Sequence, residues 1–230
     1  MDKLFTFWEG PMPAYIDLCL RTWKRPFTLL TYDNLHEYTD IRIEQYLGFT
    51  LPQIADAVRV HVLRDQGGYW MDADTIMLTG KLPEATVLGN PETRTNSIGF
   101  LHSEPHSEMF TEWAKYQDEV IANPDASYHW SVMGNDFTDP YVREHMDITI
   151  GHIKNCCPET YMIKGNISRY EKYHQLYFDK KYHLSDLHDT DMLMLHNSWT
   201  PTWYKNMTAD DVLAANYTLS NILSEVLRED

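Results

Sequence analysis

Apolar and polar positions alternate over short distances at the start of the chain. Leu4-Phe5-Thr6-Phe7-Trp8 is a β-prone run ended by Glu9-Gly10-Pro11, residues 14–23 carry helical spacing, and residues 27–32 read as a second strand closed by Asp33-Asn34. The clearest helix opens at Pro52 and places Ile54, Val58 and Val62 at i, i+4 and i+8. Gly67-Gly68 stops it, the second glycine being suited to φ > 0, and the chain re-enters an extended run over residues 69–78. Downstream the spacing predicts a helix over 107–121, short strands over 146–153 and 192–195, and a polar, tyrosine-rich insertion over 164–183. Thr208 with Asp211 forms a capping-box pattern, after which Val212, Ala215, Leu219, Ile222 and Val226 follow one face of a last helix. Strand-helix alternation giving way to mixed structure predicts an α/β sheet core.

Composition narrows the classes. The 230 residues, 43% hydrophobic, suit a single domain over 1–230 with a full core, and no repeat or linker-like stretch divides it. Nineteen basic against 34 acidic residues give a formal charge of -15 at pH 7, so nucleic acid is not an expected partner. No apolar run approaches the ~20 residues that span a bilayer, and Met1-Asp2-Lys3 followed by aromatics does not open a signal peptide, so a cytoplasmic location is expected. Membrane association would be peripheral, through an acceptor or partner. Cys19, Cys156 and Cys157 have no metal-binding spacing and are expected as reduced core thiols.

Two Asp-x-Asp triplets occur. Asp189-Thr190-Asp191 sits in turn-like surroundings and reads as a solvated loop. Asp72-Ala73-Asp74 follows a helix, a Gly-Gly and an extended run; at i and i+2 near a strand's carboxyl end, both carboxylates would face one way. Two hard oxygen ligands suit Mg²⁺ or Mn²⁺, which draws further ligands from substrate phosphates and so implies a diphosphate substrate. Asp56 and Arg59, at i and i+3 on the preceding helix, share a face; alone they would be read as a surface ion pair.

Gln53-Ile54-Ala55-Asp56-Ala57-Val58-Arg59, then Leu63, Gly67-Gly68, Trp70 and Asp72-Ala73-Asp74, resemble the signature of DXD-type sugar-nucleotide glycosyltransferases. The nearest group looks like family 32, which includes capsular polysaccharide galactosyltransferases and initiating mannosyltransferases and is related to the glucosylating clostridial toxin domains. Phe5 to Gly10 and the segment Cys19 to Trp23, with Thr22 where serine is usual, are similar to the family's opening. The resemblance is strong over the first 80 residues and implies a GT-A fold, with a nucleotide-sugar-binding half over 1–80 and an acceptor-side half over 81–230. Trp70 stands where the family usually has tyrosine.

The resemblance implies the following roles. Asp74, with Asp72, and His196 at the end of Met192-Leu193-Met194-Leu195, would hold the metal. Asp72, Asp56 and Arg59 would hold ribose or sugar hydroxyls of the donor, and Ser198 and Trp199 would touch the diphosphate. Phe7 or Trp8 would face the nucleobase, with core packing of the first strand as their competing use, while Asn96 and Asp136, in Asn96 to Phe100 and Gly134-Asn135-Asp136, would contact the sugar; Asp136 could equally cap a helix. The expected activity is retaining transfer from a nucleoside-diphosphate sugar, a UDP-sugar foremost, to a glycan or other hydroxyl. A haloacid-dehalogenase-type phosphohydrolase is the alternative, since Asp72-Ala73-Asp74-Thr75 and Gly134-Asn135-Asp136 with Asp139 are similar to that family's acidic segments. Lys164, Lys172, Lys180 and Lys181, interleaved with Tyr170, Tyr173, Tyr177 and Tyr182, read as a solvated amphipathic helix, with an acceptor-facing loop as the other use.

Overall fold

The computed structural model describes residues 3–123, 128–188 and 190–228. In chain order the elements are β1 (Leu4–Phe7), α1 (Ala14–Arg21), β2 (Thr28–Leu30), α2 (Leu51–Gln66), β3 (Gly68–Met71), β4 (Thr75–Met77), β5 (Val87–Asn90), β6 (Thr95–Ser103), α3 (Glu108–Ala122) and α4 (Asn135–Glu144). They continue with β7 (Ile150–His152), α5 (Glu159–Met162), α6 (Arg169–His174), β8 (Met192–Met194), α7 (Thr202–Lys205), α8 (Ala209–Ala214) and α9 (Thr218–Arg228). The chain forms two compact units: residues 1–10, 26–72 and 83–152 make the first, and residues 11–25, 73–82 and 153–230 the second.

The first unit is a six-stranded mixed sheet, order β2-β1-β3-β6-β5-β7, with β1 parallel to β2 and β3, β6 antiparallel to β3 and β5, and β7 parallel to β5. Helices α2, α3 and α4 pack with it, giving the α/β class that the alternation predicts. Helix α2 begins in a capping box in which the Thr50 backbone N–H donates to Gln53 Oε1 at 2.9 Å. Its predicted apolar stripe is correct, but burial extends round the helix to Ala57, Val60 and Leu63, so α2 is a central helix and not a surface one. Gly67 and Gly68 both have positive φ, 61° and 89°; a Cβ on Gly68 would stand 2.5 Å from the Lys3 carbonyl oxygen, so only glycine permits β3 to start there.

The second unit holds α1, the two-stranded antiparallel pair β4-β8, and α5 to α9. Thr22 fastens α1 to β4: its hydroxyl donates to the Cys19 carbonyl at 2.6 Å and accepts from the Met77 N–H at 2.9 Å. Cys19, Cys156 and Cys157 are buried free thiols, as their composition implies.

Four expectations change. The single extended run over 69–78 is two strands in two sheets, and Asp72 to Asp74 form the bend between them. The alternation that would set both carboxylates on one strand face therefore does not hold. The last helix is α8 and α9, interrupted at residues 215–217, because the Thr218 hydroxyl accepts the Tyr182 N–H at 2.9 Å and fixes a new start. The strand over 146–153 shrinks to β7. The tyrosine-rich insertion is not solvated: α6 runs into a π-helical turn (Gln175–Asp179), and Tyr173, Leu176, Tyr177 and Phe178 are buried. Asp189 lies outside the described residues, while Asp191 accepts the Thr79 hydroxyl at 2.8 Å. Among the described residues no helix is long and apolar enough to cross a membrane.

Candidate functional site

In the first unit the residues singled out by the sequence converge. Asp56 and Arg59 do lie one turn apart on one face of α2, yet both are buried, 8% and 5% exposed, which removes the surface-pair reading. The Arg59 guanidinium lies 3.0 Å from Asp56 Oδ1 and 3.2 Å from Asp72 Oδ1, and it donates to the Ile98 carbonyl on β6. Its Cζ sits 5.2 Å from the centre of the Trp70 ring. Trp70 Nε1–H in turn donates to Asp72 Oδ1 at 2.9 Å, and the Asp72 N–H to the Gly99 carbonyl at 2.9 Å. One carboxylate is thus clamped by an indole and a guanidinium while its side chain stays about a third exposed, at 36%. Trp70 itself is buried and acts through Asp72.

Burial pushes the Asp56 carboxyl up to about 7; Arg59 holds it back, and the Asp72 charge adds to the rise. A Cβ on Gly134 would come within 3.3 Å of Asp56 Oδ2, so the start of α4 abuts this cluster. Gln117 Nε2 ties it down by donating to the Met133 carbonyl at 2.6 Å and the Asp56 carbonyl at 3.3 Å.

Asn96 and Asp136 have structural partners of their own. Asn96 donates to Asp139 Oδ1 at 2.8 Å and accepts from Thr138 Oγ1 at 2.8 Å. Asp136, in the first turn of α4, accepts from Ser131 Oγ at 2.7 Å and meets His129 Nε2 at 2.6 Å. Phe7 is a core residue; Trp8 is half-buried, and its indole N–H has no hydrogen-bond partner among the described residues.

In the second unit Asp74 anchors the turn after β8. Its Oδ2 accepts the Asn197 N–H at 2.7 Å, its carbonyl accepts the Leu195 N–H at 3.1 Å, and Asn197 Oδ1 accepts the Tyr15 hydroxyl at 2.6 Å. Burial first, then the Asp74 charge, raises the Tyr15 hydroxyl. His196 stacks 4.0 Å from Trp199, and the Arg169 guanidinium lies 5.7 Å from that ring. Arg169 is held by the fully buried Glu159 at 2.9 Å and by Cys157 Sγ at 3.0 Å. Burial, then Arg169, pushes His196 down to about 3, and its Nε2 is buried without a partner. A neutral imidazole and a carboxylate are donor types that fit Mn²⁺ or Mg²⁺. Among the described residues no three His, Cys, Asp or Glu side chains gather into a group that could hold a metal ion. Ser198 is exposed and Trp199 half-buried.

Sequence reasoning gave no role to Gln117 or Arg169, and quoted Gln53 only as part of the resemblance. Gln117 acts on Met133 and Asp56, and Arg169 on Glu159, at offsets that no local spacing rule marks.

A family model described as capsular polysaccharide synthesis protein matches residues 3–149, more than half of the chain. Two solved structures are similar to it at low identity. The PaToxG glycosyltransferase is 14% identical with a TM-score of 0.43, over 63% of this chain and 68% of that one. An active-site mutant of LgtC is 12% identical with a TM-score of 0.43, over 99% and 95%. No curated protein matches the chain.

Proposed function

The chain belongs to the capsular polysaccharide synthesis protein family, and on that premise we propose that it is a glycosyltransferase moving a sugar from a nucleoside-diphosphate donor to a glycan hydroxyl. The observation that carries the reading is the clamp on Asp72. A buried guanidinium, its buried counter-carboxylate Asp56 and an indole N–H fix one half-exposed carboxylate, an arrangement suited to accepting hydrogen bonds from the hydroxyls of a ribose or hexose. Asp56 and Arg59 hold that carboxylate in place. Asn96 and Asp136 line the sugar side, and Trp8 offers the aromatic face for the base.

Asp74 and His196 would hold Mn²⁺ or Mg²⁺, with Asp72 beside Asp74 in the triplet; such an ion supplies Lewis-acid neutralisation of a departing diphosphate. Ser198 and Trp199 would meet the phosphates, with Arg169 adding positive charge behind the Trp199 ring. UDP is the favoured nucleotide, and retention the favoured outcome, on the resemblance of residues 53–74. Family membership favours transfer over phosphoester hydrolysis.

The test is thermal-shift binding of UDP and GDP with and without Mn²⁺, on the wild type and on Asp74→Asn, whose side-chain oxygen can still accept the Asn197 N–H. Stabilisation by one nucleotide that needs both the metal and Asp74 is expected. Absence of any nucleotide shift, together with metal-dependent hydrolysis of a generic phosphate ester, would reverse the reading in favour of a phosphohydrolase.

A further inference from the structure

In the unit that holds the Asp72 clamp, the segment around Tyr128 and Trp130 is exposed and aromatic, and of the donor-site residues above it takes in only Asp136. Trp130 is 77% exposed and Tyr128 is 42% exposed, whereas most tryptophans of the chain are buried or half-buried. Exposing an indole to this extent forfeits apolar burial, so an occupant that covers it gains that energy back. The backbone beneath is not loose. Gln53 Nε2, at the start of α2, donates to the Tyr128 and His129 carbonyls at 3.2 and 2.9 Å, and Trp113 Nε1 donates to the Met133 carbonyl at 3.0 Å. The Tyr128 ring packs 4.3 Å from Phe49. The side chains are presented on a frame that is already rigid, which lowers the ordering cost of binding.

We propose that Tyr128, Trp130 and the His129–Asp136 pair form the platform that receives the acceptor sugar, a neutral pyranose; the word acceptor rests on the transferase reading above. A pyranose has one face of C–H groups and a rim of hydroxyls. The C–H face matches the electron-rich face of an indole or phenol ring. The rim matches Asp136, whose two oxygens are oriented by Ser131 and His129 at 2.7 and 2.6 Å and retain lone pairs for hydroxyl donors. His129 and Asp136 are themselves part-exposed, with side chains 51% and 32% accessible. Charge selects the class: an anionic sugar would meet the Asp136 carboxylate on a chain of formal charge -15. The same loop continues through Gly134 to its close approach to Asp56, so a sugar on the platform lies along the segment that leads to the clamp.

Ligand-observed NMR with the methyl glycosides of glucose, galactose and mannose tests this, run beside UDP binding to the wild type. At least one glycoside should bind the wild type, about tenfold more weakly to Trp130→Ala and within about threefold to Trp130→Phe, since phenylalanine keeps a stacking face. Asp136→Asn should also weaken binding. UDP binding without binding of any glycoside, or glycoside binding indifferent to Trp130→Ala, overturns the platform and leaves the transferase reading standing. Glycoside binding that depends on Trp130, in a protein that binds neither UDP nor GDP, supports the sugar platform and removes its description as an acceptor site.

Discussion

Trp70 shows how one side chain sets the properties of another. Its indole supplies both a face for Arg59 and an N–H for Asp72, so Trp70→Phe keeps the first and deletes the second. Loss of a hydrogen bond to a charged group costs roughly 1.5–3 kcal/mol. Because Trp70 is fully buried, a lower Tm is expected together with a fall in kcat/KM of about tenfold to a hundredfold, provided donor turnover is the reaction followed. An unchanged kcat/KM in a folded, less stable variant would show that the indole serves packing alone.

Asp56 makes stability depend on pH in a direction unusual for an acid paired with arginine. Its folded pKa of about 7 lies above the ordinary carboxylate value, so the folded chain keeps a proton that the unfolded chain has released, and stability falls as pH rises toward 7. His61 and His196, pushed by burial to about 4 and about 3, act in the opposite sense: as pH drops below the ordinary histidine value the unfolded chain gains protons first, and stability falls on acidification. Asp56→Asn should therefore gain stability relative to the wild type by a few kcal/mol at most between about pH 4.5 and about 7.5. Urea melts at the two pH values measure it, and a constant difference would mean Asp56 is charged throughout. The i, i+3 spacing of Asp56 and Arg59 was legible in the chain. Their burial was not, because it depends on Ile98, Gly134 and Gln117, none of which has a fixed offset from α2.

At the scale of elements, local chemistry and distant pairing divide the outcome. The capping box at Thr208, the Pro52 opening of α2, the Gly67-Gly68 stop and the apolar spacing of α2 and α3 are short-range and were readable. The break between β3 and β4 was not. Apart from Asp72-Ala73-Asp74, residues 69–78 have strand composition, and what divides them is that β3 pairs with β6 whereas β4 pairs with β8, far along the chain. The same holds for Tyr173 of α6 and Tyr177 of the turn that follows it, both buried in a stretch with a polar look. Gly68→Ala is expected to cost more than ~2 kcal/mol, since both its φ and the Lys3 carbonyl oppose a side chain. Thr208→Ala removes a cap and should cost about 1 kcal/mol. Denaturant unfolding of the two variants ranks them, and a reversed order would contradict the backbone argument.

For the molecule as a whole, each compact unit is assembled from three separate stretches of chain. The residues matched by the family, 3–149, contain all but the first two and last three residues of the first unit and only two stretches of the second. A fragment cut there should lose protection of the residue 11–25 and 73–82 amides in hydrogen exchange while amides of α2 and β1 stay slow. Uniform protection would show that β4 is stable without its partner.

The pairing of β4 with β8 also sets a clock on biosynthesis. Thr75 to Met77 leave the ribosome long before Met192 to Met194 exist, and at about 5–20 residues per second the interval is roughly 6–20 s. During that time a short, mostly apolar strand edge has no mate. Nascent chains of this protein are thus exposed to mispairing while residues 78–194, about half of the chain, are being made, and chaperone demand should follow translation speed over that stretch.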